Sequence, residues 1–190
     1  MNREIPTEIT FDTTLYGYDL TFTTTWGLFS PKTIDAGTQL LIEYMEIEKN
    51  DTCLDLGCGY GAIGITMAKC ASNAEVYMVD KDFIAVEFAR KNVKQNNIQN
   101  CHVQLSNGFS HLPDTQFDVI ASNLPANVGR ELMHIFFCDA KRYLKPNGRI
   151  YVVTISGLRE FIKRNFMEIF GNYCKVKQRK THTVAMATRI

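Results

Sequence analysis

The 190-residue sequence has no long apolar run, no internal repeat and no large excess of charge of either sign. No apolar run approaches the length of a membrane-spanning helix, and residues 1–6 do not resemble a signal peptide. We therefore expect a cytoplasmic protein without a membrane partner. The formal net charge is only +1, so any binding of nucleic acid must use a local patch of basic residues.

The cysteines and histidines also lack the spacing of a disulfide framework or a zinc site. The absence of a C-x-x-C pair favours free thiols in a reducing cytosol over a secreted protein. The histidines are far apart in sequence, so we expect no metal. The cysteines are Cys53, Cys58, Cys70, Cys101, Cys138 and Cys174, and the histidines are His102, His111, His134 and His182.

The most informative stretch runs from Cys53 to Gly64, where an apolar strand leads into a glycine-rich turn and then a helix. Gly57, Gly59 and Gly61 alternate in this turn. Glycine permits positive φ and close approach of a ligand, and the next helix begins with unpaired N–H groups. Such a turn binds a nucleotide when it lies at the carboxyl edge of a parallel sheet. A dinucleotide fingerprint, G-x-G-x-x-G, and a turn without any ligand are the alternatives.

Asp55 favours a cationic ligand over a dinucleotide, because its carboxylate would repel a pyrophosphate in a site of low dielectric. S-adenosylmethionine carries an ammonium and a sulfonium group and has no phosphate. The pattern Asp55-x-Gly57-x-Gly59-x-Gly61 resembles the first motif of class I S-adenosylmethionine-dependent methyltransferases. This resemblance implies that S-adenosylmethionine is the cofactor.

The N-terminal residues are predicted to form a separate element. Apolar and polar residues alternate over 8–25 on either side of a glycine, which predicts a β-hairpin. Because this hairpin precedes the glycine motif, we expect residues 1–25 to be an extension and residues 26–190 to form the methyltransferase domain.

A loop and a helix are expected between the hairpin and the glycine motif. The loop carries Trp26, which we expect to be buried against the sheet, and Phe29, for which burial and stacking on a base are equally consistent. Asp35 is the expected N-cap of a helix that ends near residue 44.

From residue 49 onward, strands alternate with helices, which predicts an α/β fold with a mostly parallel, Rossmann-like sheet. Two closing strands with a short link must be antiparallel, an arrangement similar to that of class I methyltransferases. We expect a turn at Asn147 and Gly148, and packing of Phe83 against the sheet. The predicted strands are 52–56, 74–79, 101–105, 117–122, 149–156, 173–177 and 183–189, and the predicted helices are 62–70, 82–97, 130–144 and 158–170.

Two polar positions follow the second and third core strands. Asp80 lies about twenty residues beyond the glycine turn, where an acid accepts hydrogen bonds from ribose hydroxyls; helix capping is the alternative, for which Asp82 is better placed. Asn107 precedes Gly108 after the third strand. Its amide can read an adenine edge, although an Asn-Gly turn needs no ligand.

A third polar position follows the fourth core strand. Asn123-Leu124-Pro125-Ala126 resembles the Asn-Pro-Pro-aromatic motif of methyltransferases that act on planar nitrogens, with Leu124 and Ala126 as departures. The resemblance implies that the Asn123 oxygen and a backbone carbonyl hold an exocyclic amine and stabilise the positive charge that develops on it. The absent aromatic side chain counts against base methylation, and an ordinary Asn-x-Pro loop is the alternative.

Taken in order, these motifs resemble the small-domain methyltransferase family that includes the bacterial ribosomal RNA guanine-N2 enzymes and their single-domain relatives. The stretches Gly27-Leu28-Phe29-Ser30 and Leu144-Lys145-Pro146-Asn147-Gly148 also carry the resemblance. It implies that Phe29, Ser30 and Thr38 border the methionine end of the cofactor. The predicted catalytic residues are Asn123 and Pro125, and the predicted cofactor contacts are Phe29, Ser30, Thr38, Asp55, Gly57, Cys58, Gly59, Gly61, Asp80, Lys81, Asn107, Gly108 and Asn123.

The methyl acceptor stays open at this point. Basic residues collect late in the chain, either as a phosphate-binding patch for an RNA substrate such as rRNA or as solvated helix and strand edges. A small-molecule or protein acceptor and a non-catalytic cofactor-binding protein are the other two hypotheses. The basic residues are Arg142, Lys145, Arg149, Arg159, Lys163, Arg164, Lys175, Lys177, Arg179 and Lys180.

Overall fold

The computed structural model describes residues 7–125 and 129–190. Within these residues the chain forms nine strands, five α-helices and one short 3-10 turn. The strands are β1 Glu8–Leu15, β2 Tyr18–Thr25, β3 Cys53–Leu56, β4 Val76–Asp80, β5 Cys101–Leu105, β6 Phe117–Asn123, β7 Leu144–Ile155, β8 Cys174–Gln178 and β9 His182–Thr188. The helices are α1 Ala36–Tyr44, α2 Ala62–Cys70, α3 Phe83–Gln95, α4 Arg130–Tyr143 and α5 Arg159–Phe170.

Seven strands form one sheet in the order β5-β4-β3-β6-β7-β9-β8. Strands β3 to β7 pair in parallel, whereas β9 is antiparallel to both β7 and β8. The prediction of a mostly parallel α/β sheet with a C-terminal antiparallel hairpin is therefore confirmed. The second strand of that hairpin inserts next to β7, so the first strand, β8, becomes the edge of the sheet.

The order of the strands creates a switch point between β3 and β6. From β3 the chain builds outward through β4 and β5, and then returns to add β6 on the other side of β3. Ligands of open α/β sheets bind in the crevice that such a reversal leaves at the carboxyl ends of the strands. The glycine turn follows β3 and Asn123 ends β6, so the fold brings the two motifs to the same crevice.

The sheet separates two apolar cores, because successive residues of a buried strand point to opposite faces. Cys53 faces a core that contains α1, α2 and α3, whereas Leu54 faces the core under α4 and α5. All four residues of β3 are buried, as expected for a central parallel strand. No helix in the described part of the chain is long and apolar enough to cross a membrane.

The N-terminal hairpin, β1 and β2, is a separate two-stranded sheet that packs on α3. Asn92 on α3 donates to Thr23 O and accepts from Thr23 N, and Asn96, one turn later, does the same with Thr21. The two amides thus pair with the edge of β2 much as another strand would. Phe22 lies in the same apolar core as α1 and α2. Residues 1–6 of the predicted extension lie outside the described residues, and the division after residue 25 stays a prediction.

Three local expectations are wrong. Strand β7 begins at Leu144, directly after α4, and not at residue 149; the expected turn at Asn147 and Gly148 lies inside this strand, where its pairing with β6 is irregular. Asn147 takes a φ of 65° there, and its N–H donates to Arg189 O of the neighbouring chain segment. Phe83 is 58% exposed and Trp26 is also 58% exposed, so neither ring is buried against the sheet.

Candidate active site

The glycine turn is tight and takes a backbone shape that requires glycine. Gly57, Gly59 and Gly61 have φ values of 77°, 56° and 101°, a region that side chains other than glycine rarely adopt. The N–H groups of Gly57 and Cys58 both donate to Val79 O at 2.9 Å, which fastens the turn to β4. Gly61 then caps α2 without a side chain, so the N–H groups of the first two helical residues, Ala62 and Ile63, are left without a side-chain cap.

Asp80 braces this turn from the end of β4. Its Oδ2 accepts from Gly59 N at 2.9 Å, and its Oδ1 accepts from Asp82 N at 3.0 Å. Asp82 is the N-cap of α3, as expected, with its Oδ1 accepting from Ile84 N. Each Asp80 oxygen keeps a further lone pair that can accept from a hydroxyl, and Lys81 beside it is exposed. The sequence indicated the position of Asp80 but not its bond to the glycine turn.

Asp55 lies beneath the turn, which differs from its expected place beside a cationic ligand. It is fully buried, and its Oδ2 accepts from Gly64 N at 2.7 Å. Within the described residues no donor reaches its Oδ1. Burial raises the pKa of Asp55 to about 7; the charge of Asp80 also raises it, while the bond from Gly64 lowers it. Asp55 thus connects β3 to the first turn of α2 and is costly to ionise.

Gly64 has a packing role that the dinucleotide fingerprint assigns to its third glycine. A Cβ at this position would lie 2.4 Å from Met78 Cγ and 3.0 Å from Asp55 Oδ2. Only a residue without a side chain lets α2 approach β4 this closely. The match to G-x-G-x-x-G therefore reflects close helix–strand packing.

Asn107 and Gly108 lie in a turn after β5. Gly108 has a φ of 59°, and its carbonyl accepts from Ser106 Oγ at 2.8 Å. Asn107 is exposed, and its side chain makes no hydrogen bond with the described residues. Because β5 is two strands away from β3, these residues border the outer end of the crevice.

On the other side of the switch point, Asn123 is attached to the start of α1. Its Nδ2 donates to Asp35 Oδ2 at 3.1 Å and to Thr38 Oγ1 at 2.9 Å. Asp35 is the N-cap of α1, as predicted, and the same oxygen accepts from Gly37 N and Thr38 N. No local pattern in the sequence indicates that these residues meet Asn123, because they lie 88 and 85 positions away from it.

Leu124 and Ala126 depart from the Asn-Pro-Pro-aromatic pattern, and the structure describes the surroundings of Leu124 but not those of Ala126. Leu124 is buried, and its N–H donates to Val153 O on β7 at 3.0 Å, a bond that proline has no N–H to make. Pro125 is exposed at the rim. Ala126 lies outside the described residues.

The loop before α1 places aromatic rings at the rim of the site. Phe29 is 69% exposed, and Lys32 Nζ lies 4.8 Å from the centre of the Trp26 ring. Ser30 has a φ of 48° and donates to Thr33 O, while the Tyr60 hydroxyl of the glycine turn donates to Ser30 O at 3.5 Å. The loop thus spans the distance between the glycine turn and the Asp35 end of α1.

Gly37 and His182 form a contact that the sequence did not indicate. A Cβ on Gly37 would lie 2.9 Å from both Asp35 Oδ2 and His182 Cδ2. The C-terminal hairpin therefore packs its first β9 residue against the first turn of α1, next to the residues that hold Asn123. A side chain at position 37 would push against the Asp35 carboxyl group and the His182 ring.

Two features bear on metals and on phosphate binding. Among the described residues, no group of three or more histidine, cysteine, aspartate or glutamate side chains is placed to hold a metal ion. A reaction without metal stays a prediction. Among the late basic residues, Arg142, Lys145, Arg149, Arg159 and Arg179 are in ion pairs, which reduces the charge available to phosphates.

The comparisons with known proteins agree with this geometry. The family model of the methyltransferase small domain matches residues 19–186. The uncharacterized protein YbxB of Bacillus subtilis is 32% identical over 90% of this chain and 87% of its own length. Ribosomal RNA small subunit methyltransferase C of Haemophilus influenzae is 32% identical over 78% of this chain and 46% of its own length.

Among solved structures, the chain is similar to the 16S rRNA N2 methyltransferase RsmC of T. thermophilus in complex with AdoMet and guanosine. The TM-score is 0.89 at 26% identity, over 98% of this chain and 52% of that one. The chain therefore spans about half the length of the rRNA methyltransferases it matches. The family model covers most of the sequence and the fold agrees, which confirms the prediction of a class I methyltransferase that uses S-adenosylmethionine. This chain belongs to the methyltransferase small-domain family.

Proposed function

We propose that this protein transfers a methyl group from S-adenosylmethionine to the exocyclic amine of a base in RNA, with guanine N2 of rRNA as the acceptor class. The single observation that carries this proposal is the amide of Asn123 at the switch point, with its nitrogen bonded inward to Asp35 and Thr38. The names of the relatives support an RNA acceptor, and the guanosine bound by the similar structure supports a purine amine.

The proposed cofactor site is the crevice above the glycine turn. Gly57, Cys58, Gly59 and Gly61 offer their backbone for close approach, and Asp80 offers carboxylate lone pairs to ribose hydroxyls. Lys81, Asn107 and Gly108 border the outer end, and Phe29 and Ser30 border the end near Asn123. The cofactor supplies a methyl group that is activated by its bond to a sulfonium. After the transfer, the rest of the cofactor leaves as a neutral thioether.

Asn123 acts on the acceptor in this proposal. Its Oδ1 accepts an N–H of the amine, and a backbone carbonyl of the Asn123–Pro125 segment accepts the other. These bonds hold the amine in line for attack and stabilise the positive charge that grows on its nitrogen. The proton is then lost to solvent, so no strong general base is needed. Leu124 fixes the backbone of this segment through its bond to Val153.

A cytoplasmic location accompanies this proposal, because rRNA is found there and the six cysteines are free thiols. With half of the late basic residues in ion pairs, the phosphate contacts fall on the remaining ones, such as Lys163 and Lys180. RNA affinity should then be modest and fall with salt.

The test is incubation of the protein with methyl-labelled S-adenosylmethionine and separate RNA, protein and metabolite fractions, with and without a chelator. We expect label in RNA, released by nuclease digestion as N2-methylguanosine, at equal rates in both arms. Label confined to protein or metabolites would redirect the proposal to another acceptor, and no label in any fraction would favour a non-catalytic cofactor-binding protein.

A further inference from the structure

We infer that Asp35 and Thr38 are positioning residues that determine which end of the Asn123 amide faces the methyl acceptor. The inference rests on the proposed function, because it concerns the side chain that would hold the acceptor amine. It also assigns Thr38 a different role from the cofactor contact that the family resemblance implies.

The direction of the Asn123 amide follows from the chemistry of its partners. The two ends of an amide have the same shape, so only the hydrogen-bond network distinguishes them. Asp35 Oδ2 is an acceptor in this structure, because it accepts from the backbone N–H groups of Gly37 and Thr38 at the start of α1. The amide atom 3.1 Å away from this acceptor oxygen must be the donor, Nδ2.

Fixing Nδ2 inward leaves Oδ1 for the acceptor. In residues 7–125 and 129–190 no protein donor bonds to Asn123 Oδ1, and the side chain is partly exposed. An exocyclic amine presents N–H groups, which Oδ1 accepts and which a reversed amide would repel. Because the amide is held before the acceptor arrives, no reorientation is needed during the reaction. The charge of Asp35 also polarises the amide, which makes Oδ1 a stronger acceptor.

Two substitutions separate this role from the support that α1 needs. Thr38→Val keeps the shape of the side chain and removes the Oγ1 acceptor without touching the cap of α1. Asp35→Ser keeps a good N-cap, since serine and aspartate cap about equally well, but its shorter side chain cannot reach Asn123. Thr38→Ser restores the hydroxyl. Thr66→Val is the matched control, because Thr66 is also buried and its Oγ1 also makes one hydrogen bond, within α2.

The expected result is a loss of kcat without a matching loss of cofactor binding. Removing one acceptor should lower kcat about fivefold, and the Asp35→Ser and Thr38→Val double variant should lower it about twenty-fivefold or more. Thr38→Ser should recover most of the rate, and Thr66→Val should lower the melting temperature but leave kcat unchanged. In an Asn123→Ala background, Thr38→Val should have no further effect, which a purely structural role would not predict.

An NMR measurement tests the inference without any methyl acceptor. The side-chain amide protons of Asn123, identified by their disappearance in Asn123→Ala, should be protected from exchange in the unmodified protein and lose this protection in Thr38→Val. Unprotected amide protons would overturn the inference. So would an equal fivefold loss from Thr38→Val in the Asn123→Ala background, or a weaker affinity for S-adenosylmethionine with unchanged kcat. If the amide protons are protected in the unmodified protein but Asn123→Ala keeps its full kcat, only the proposed function is rejected.

Discussion

The two sides of the switch point are stabilised by contacts of different range along the chain. On the β3 and β4 side, the contacts that shape the site join residues 9 and 21 positions apart, Asp55 with Gly64 and Asp80 with Gly59. On the β6 side, Asn123 is held by residues 88 and 85 positions away. The β3 and β4 side, which we propose binds the cofactor and call the cofactor side, is thus a local βαβ unit. The β6 side, which we propose holds the acceptor and call the acceptor side, forms only once the whole sheet and α1 have assembled.

This difference in range explains how related proteins can keep the same cofactor while the methyl acceptor changes. A local unit is specified by its own glycines and acids and can bind the same cofactor in many proteins. The acceptor side depends on a loop, a helix terminus and a hairpin from distant parts of the chain, each of which can change the acceptor without altering the glycine turn. The substitutions below test whether binding and turnover separate along this boundary.

The largest effect should come from Asn123→Ala. If its Oδ1 stabilises charge in the transition state, kcat should fall about a hundredfold or more, while the affinity for S-adenosylmethionine stays near that of the unmodified protein. Stability should fall by about 1 kcal/mol, because the bonds to Asp35 and Thr38 are lost. Single-turnover rates, calorimetry and melting temperature measure the three quantities.

Asn96→Ala is the matched control, because the Asn96 amide also makes several bonds but lies at the C-cap of α3, beneath the hairpin. It should lose stability and keep its turnover. An unchanged single-turnover rate in Asn123→Ala would remove the catalytic role and with it the distinction between the two sides.

Asp80→Ala should produce the reverse pattern, with affinity lost before turnover. We expect the affinity for S-adenosylmethionine to fall by about 1–3 kcal/mol, because ribose bonds are lost and Gly59 N–H loses its acceptor. Asp82→Ala, two residues later, removes only the cap of α3 and should cost stability rather than affinity. Calorimetry on both variants decides. If the two variants lose equal affinity for S-adenosylmethionine, Asp80 acts as a capping residue. Tight binding of NAD by the unmodified protein would overturn the choice of cofactor.

The buried Asp55 should give the cofactor side a dependence on pH. The unfolded carboxyl has a pKa of about 3.8 and the folded one about 7, so the folded state binds more protons between these values. The contribution of Asp55 is complete below about pH 4 and is lost as the pH rises to about 7. Relative to Asp55→Asn, the free energy of unfolding should fall by up to about 1.4 kcal/mol per pH unit within this window.

Denaturant titrations of both proteins at several pH values measure this difference, and saturating S-adenosylmethionine provides a second condition. If the free energies of the two proteins change in parallel from pH 4 to pH 7, the carboxyl is ionised in the folded state.

The sequence predicts most of the local structure around the glycine turn, because its determinants are a few residues apart. The glycines, Asp82 as a helix cap and the alternation of strands and helices all follow from residues a few positions apart, and the structure has them. The bond of Asp35 and Thr38 to Asn123 and the packing of His182 on Gly37 could not be predicted, because no local pattern reports which distant elements meet.

The incorrect expectations have the same origin. Trp26 and Phe83 are large apolar residues that are usually packed in a core, but in this fold both rings are exposed, which no local pattern reports. The start of β7 differs from the expected one because Pro146 and Asn147, which are typical of a turn, lie inside the strand at an irregularity in its pairing with β6.

The smallest effect is expected for Asn107→Ala, at the outer end of the cofactor side. The Asn107 side chain is exposed and makes no hydrogen bond with the described residues, so its loss should leave the melting temperature unchanged. If the amide reads an adenine edge, the affinity for S-adenosylmethionine should still fall by about 0.5–1.5 kcal/mol. Gly108, with its φ of 59°, supports the turn whatever residue precedes it.

Calorimetry with S-adenosylmethionine and with a cofactor analogue that lacks the adenine amino group measures the contribution of the Asn107 amide. The two ligands should differ in affinity for the unmodified protein and bind alike to Asn107→Ala. A lower melting temperature with unchanged affinity would make Asn107 a turn residue and would limit the cofactor side to the local unit between Asp55 and Asp82.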